Sequence, residues 1–174
     1  MLARSSVSNW VMGRAILFVL LASCANCAAQ TPLPSIEALE LFDSWLYSAF
    51  SKGDLISSSH IRAIGKIVEE SSVPYEMGYA EGRWNVITYR FDGLVIVAIV
   101  QETPPQRALV QRITIQNSSW PLTNGLVVGT PVSNIRMSVP PSENPLQYCG
   151  TNDCLEFEEE EGRISKITLS FYAE

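Results

Sequence analysis

Apolar and polar positions change period twice along this chain. From Ser35 the residues Ile36, Leu39, Phe42, Leu46 and Phe50 recur at helical intervals, with Trp45 and Ala49 beside them. That spacing predicts an amphipathic helix. Ser35 stands at its N-cap, Glu37 in its first turn and Gly53 beyond its end. The same period returns over Ser59 to Glu70, where Ile61, Ile64, Ile67 and Val68 predict a second helix that closes before Pro74.

Period two then takes over. In "WNVITYRF" (Trp84 to Phe91) Ile87, Tyr89 and Phe91 alternate with Val86, Thr88 and Arg90. Asp92-Gly93 suits a two-residue primed turn. "LVIVAIVQ" is apolar on both faces and predicts a central strand. After "TPPQ", "ALVQRITIQ" sets Leu109, Ile113 and Ile115 against Val110, Arg112 and Thr114. These three runs predict an antiparallel meander. "LVVGTPVSNI" reads as a short strand entering a third helix, with Thr130 as N-cap, Pro131 at N1 and a Val132, Ile135, Val139 stripe. Pro140-Pro141 stops it. "CLEFEE" and "RISKITLSFY" form a closing hairpin around Glu161-Gly162, with Leu155, Phe157, Ile167, Leu169 and Phe171 inward.

The expected fold is therefore α+β. Two or three helices pack on one face of an antiparallel sheet, and the two halves read as helix-plus-hairpin units. A domain of this kind spans residues 35–174.

The first 34 residues have another character. Arg4 and Arg14 precede the uninterrupted apolar run "AILFVLLA". A positive segment before a short apolar run is a secretory leader, too short to span a bilayer. Leu21-Ala22-Ser23-Cys24 resembles a bacterial lipobox. Under that reading residues 1–23 are a lipoprotein signal peptide, Cys24 carries the lipid, and residues 24–34, with "TPLPS" at their end, form a lipidated proline-containing tether. Ala25 after the cysteine implies sorting to the periplasmic face of the outer membrane. Cys27 is left over. The other reading is a soluble secreted or periplasmic protein cut after Ala28 or Ala29.

Charge narrows the partners. The 174 residues carry 12 basic and 18 acidic side chains, a net −6. Loss of the leader removes two arginines and no acids, which leaves 10 against 18, or −8. An acidic chain is repelled by nucleic acid. Cys149 and Cys154 bracket "CGTNDC", whose Gly150, Asn152 and Asp153 favour a turn, and in an oxidising compartment they read as a local disulfide. A zinc site would want four ligands, and the only histidine, His60, lies far off in sequence.

"GLVVGTPVSNI" and "LEFEEEEGRISKITL", within Gly125 to Phe171, resemble the small outer-membrane lipoproteins of the BamE/SmpA type, with a Gly-rich strand-to-helix turn and a closing hairpin. The tandem plan is similar to that of beta-lactamase inhibitory protein. "LFDSWLYSAFSKGD" is similar to the front of the cone-shaped nuclear transport factor fold.

Catalytic chemistry is not evident. His60 opens a helix with no nucleophile beside it, and no GxSxG motif, phosphate loop or dinucleotide fingerprint is present. "EFEEEEGR" lacks the alternating ligand spacing of a calcium loop. No cofactor or metal is implied. Trp120 and Tyr148, beside strand ends, are the candidate binding surface. The sequence thus points to a non-enzymatic envelope lipoprotein, held to the membrane by its lipid anchor. It would bind another envelope protein, as an assembly factor or inhibitor. The alternative is a cone-shaped periplasmic domain of the nuclear transport factor type with a small ligand in a pocket.

Overall fold

The computed structural model describes residues 33–50, 55–76 and 82–172. The expected leader, Cys24, Cys27 and Gly53 lie outside them. Among the described residues no helix is long and apolar enough to cross a membrane.

The chain is mostly β, not helices packed on a sheet. One seven-stranded antiparallel sheet runs in the order β1-β2-β3-β4-β7-β6-β5. Its strands are β1 (Glu69–Tyr75), β2 (Trp84–Phe91), β3 (Leu94–Gln101), β4 (Ala108–Ile115), β5 (Gln147–Cys149), β6 (Cys154–Glu160) and β7 (Arg163–Ser170). Among the described residues helix α1 (Ile36–Ala49) is the one helix of more than two turns, and α2 (Ser58–Ala63) has six residues.

Helix α1 starts as the sequence predicts. The Ser35 hydroxyl accepts from the Ala38 N–H at 3.2 Å. Phe42, Leu46 and Ala49 are buried, whereas Ile36, counted in the apolar stripe, faces solvent. The second expected helix stops at Ala63. Gly65 breaks it at a cost of about 1 kcal/mol relative to alanine. The chain beyond turns into β1, an exposed edge strand pairing Glu69–Tyr75 with Trp84–Arg90. Its polar, non-alternating sequence hid it. Bidentate hydrogen bonds from Arg62 to Glu70, 2.7 and 3.1 Å, tie α2 to this strand.

The third expected helix is a single 3-10 turn, Val132–Asn134, and the two halves are not two helix-plus-hairpin units. Backbone donors that a helix would need are spent on the β6–β7 hairpin. Gly129 N–H bonds the Ile164 carbonyl, Val132 N–H the Gly162 carbonyl, and Ile164 N–H the Thr130 carbonyl. Thr130 caps no helix; its hydroxyl accepts from Val127 N–H. The connection nonetheless delivers Leu122, Leu126, Ile135 and Val139 to the core.

The predicted meander and closing hairpin are present, and their inward residues line the core face of the sheet. Leu109 is the exception. The β3–β4 register shifts between Val97 and Ala98. Val97 faces Arg112 and Ala98 faces Val110, so Gln111 is the extra residue of a bulge. Beyond it Ala108 turns to the core and Leu109 to the other face.

Leu46 has no exposed surface, whereas Leu41 on the same helix is 66% exposed. We expect Leu46→Ala to cost about 3 kcal/mol and Leu41→Ala under about 0.5 kcal/mol in urea unfolding. Equal losses would mean that α1 does not pack as described.

Candidate functional site

The helices and the long connection cover one face of the sheet. On the opposite face the strand register places Val73 beside Val86, Val86 beside Ile99, and Ile99 beside Leu109. None of the four belongs to the core cluster. Val73 is 62% exposed, Val86 half-buried, Ile99 1% and Leu109 39% exposed. The next row on the same face runs Tyr75, Trp84, Gln101. An open cleft of about 320 Å³ sits at that corner, lined by Pro74, Tyr75, Glu76, Gly82, Arg83, Trp84 and Glu102. The Trp84 indole nitrogen is buried without a hydrogen-bond partner. Apolar residues thus occupy the middle of this half of the face, with charged residues at its corner.

Past β4 the same face turns polar. Thr114 faces Thr168, Arg112 faces Ser170, and Glu156 faces Thr168. Lys166 pairs with Glu158.

The residues singled out in the sequence fall elsewhere. Trp120 is half-buried, stacks on Phe50 at 6.2 Å, tilts against Phe91 at 6.0 Å, and donates from Nε1 to the Asp92 carbonyl at 2.7 Å. Tyr148 is buried edge-on against Phe157. The two are not brought together on an exposed surface. His60 is exposed on α2, its N–H bonded to the Ser57 hydroxyl. Among the described residues no group of three or more His, Cys, Asp or Glu side chains could hold a metal ion.

Cys149 and Cys154 form a disulfide and are directly opposed in the β5–β6 pair. The loop they close meets α1 through a constellation that the sequence reading missed. The Asp43 carboxylate accepts from the N–H groups of Thr151 (2.8 Å), Asn152 (3.3 Å) and Asp153 (3.3 Å). Successive N–H groups aimed at one point form an anion-binding nest, and here the anion is a side chain of the same chain. A Cβ on Gly150 would run into the Asp43 carboxylate and the Leu39 carbonyl. The buried Asp153 carboxylate accepts from Tyr172 N–H at 3.0 Å. A lone aspartate in the middle of an amphipathic helix was the available signal.

No family model matches the chain, and no curated protein matches it. Among solved structures the chain is similar to the uncharacterized protein yfeY from Escherichia coli. The identity is 15%, over 66% of this chain and 88% of that one, with a TM-score of 0.37. A likeness that distant carries no argument about function.

Burial pushes the Asp153 carboxyl above its ordinary value of 3.8; the hydrogen bonds from Tyr172 and Tyr47 pull against it, and the Asp43 charge adds to the rise. The folded state therefore holds this proton more tightly than the unfolded chain. That stabilisation is complete below the unfolded pKa and is lost as pH rises through the folded one. We expect the wild type to lose stability relative to Asp153→Asn as pH climbs from below 3.8 to neutrality, read as the difference in urea midpoints. Parallel pH profiles would show an unshifted carboxyl.

Proposed function

We propose that this domain is a non-enzymatic protein-binding module of the bacterial envelope, and that it binds its partner through the sheet face opposite the core. The observation that carries this reading is the apolar patch on strands β1 to β4, flanked by a cleft with charged residues. Burying Val73, Val86, Leu109, Tyr75 and Trp84 against a partner is favourable at roughly 25 cal/mol per Å² of apolar surface. Glu76, Arg83 and Glu102 at the corner supply the polar rim that protein interfaces carry. The cleft is an open one, at a sheet corner. It suits the insertion of a partner side chain better than the enclosure of a small ligand.

The leader supports an envelope location. Its lipobox resemblance at Cys24 supports a lipid anchor at the periplasmic face of the outer membrane, with an assembly factor or inhibitor as the role.

Two experiments test this reading. Val73→Asp with Leu109→Asp puts two charges on the patch and replaces no residue of the core cluster. Crosslinking in intact envelopes should lose the partner adduct at least about tenfold while the melting temperature of the domain holds. An adduct of unchanged yield would rule out this face. For the anchor, Cys24→Ser should move the protein from the membrane fraction to the soluble periplasm and abolish labelling by a palmitate analogue. Retention of the label would exclude Cys24 as the acylated residue.

A further inference from the structure

We propose that the Cys149–Cys154 disulfide is a redox latch on helix α1, set or released by a dithiol reductant. The helix is held to the sheet in two ways. Phe42, Leu46 and Ala49 bury an apolar stripe, which is non-directional and tolerates sliding. At the C-terminal end of the helix the Ala49 carbonyl accepts from Thr123 N–H at 2.8 Å; the directional contacts of its middle turns go to one place. Asp43 sits in the nest of Thr151, Asn152 and Asp153.

That nest depends on a closed loop. Three backbone N–H groups point at one carboxylate only while the loop between Cys149 and Cys154 keeps its tight shape. Apart from the disulfide, a single backbone bond crosses the loop, from Gly150 N–H to the Asp153 carbonyl at 2.8 Å. Strand β5, which carries Cys149, has three residues and pairs only with β6. Below the loop that strand is held by its register with β6 and by a bond from Phe157 N–H to the Leu146 carbonyl at 2.9 Å, so the disulfide closes the loop itself rather than the strand. Charge-assisted bonds of this kind are the stronger hydrogen bonds of a protein, and they fail together when the donors diverge.

Reduction is balanced. A dithiol gives two electrons and two protons, the sulfur–sulfur bond breaks, two cysteine thiols form, and the dithiol closes to its own disulfide. Both cysteines are only half-buried. The freed loop then relaxes, Asp43 loses its donors, and α1 loosens while β2 to β4 stay folded.

Hydrogen exchange by mass spectrometry on the purified protein, before and after dithiothreitol, tests this. Full reduction is confirmed by the two-dalton gain. We expect the amides of Ile36–Ala49 to exchange about tenfold faster and those of β2 to β4 to be unchanged. In the oxidised protein, Asp43→Asn and Gly150→Ala should each reproduce that loosening, the first by weakening the acceptor and the second by forcing the carboxylate out. Unchanged protection of α1 after full reduction would overturn the latch. So would equal acceleration across the sheet, which would make the bond a global staple. Asp43→Asn with α1 still fully protected would show that the nest does not hold the helix.

Discussion

One constraint shapes the whole domain: a wide sheet must be covered on one face with very little helix. Seven strands at about 4.8 Å spacing make a surface roughly 29 Å across. A single helix is about 10 Å wide. Helix α1 packs against β5 and β6, and the rest falls to α2 and the long connection between β4 and β5. That connection is irregular, yet several of its backbone groups have partners. Thr123 N–H bonds the Ala49 carbonyl, Leu122 N–H the Leu126 carbonyl, and Pro131 bridges to Arg163. A buried irregular segment is stable only when its polar groups are matched in this way.

The same constraint explains what was legible in the sequence. Alternation reported β2, β3, β4, β6 and β7, because each buries one face and the period of two follows from that. Asp92-Gly93 and Glu161-Gly162 reported their turns through their need for positive φ, 71° at Gly93, 53° at Glu161 and 75° at Gly162. The second and third helices were misread for one reason. Ile61, Ile64 and Ile67, or Val132, Ile135 and Val139, recur at helical intervals, but a covering loop can place apolar residues at those intervals without being helical. Which structure forms depends on where the backbone donors find acceptors: on β2, at the Arg90 carbonyl, for the end of the second stretch, and on the distant β6–β7 hairpin for the third. Strand β1 was invisible for the opposite reason. It buries nothing, so no periodicity marks it.

The candidate site was half legible. A strand apolar on both faces, "LVIVAIVQ", already implied that Val95, Val97 and Ile99 face something other than the core. Leu109 completes the patch only because the bulge at Gln111 reverses its direction, and a bulge leaves no trace in alternation until the partner strand is known. The aromatic residues chosen from their position beside strand ends were drawn inward. Trp120 closes over Phe50 and Phe91, and Tyr148 fills the gap beside Phe157, because an under-covered sheet recruits large side chains as lids. The nest that holds Asp43 joins residues more than one hundred positions apart, which no local pattern encodes.

The two ends of the sheet have a consequence for how copies of the chain can meet. On one side β5 is three residues long, approached by Pro140-Pro141 and closed by the disulfide. On the other, Pro74 deprives β1 of a donor, Glu69 and Glu70 place charge at its start, and the Arg90 carbonyl is taken by Val68 N–H one step out of register. Neither rim offers a long, flat run of free amides. An open sheet with bare rims invites copies to stack rim to rim into fibres. This one is blunted at both, and what it leaves open to contact is a face of side chains rather than a rim of free amides.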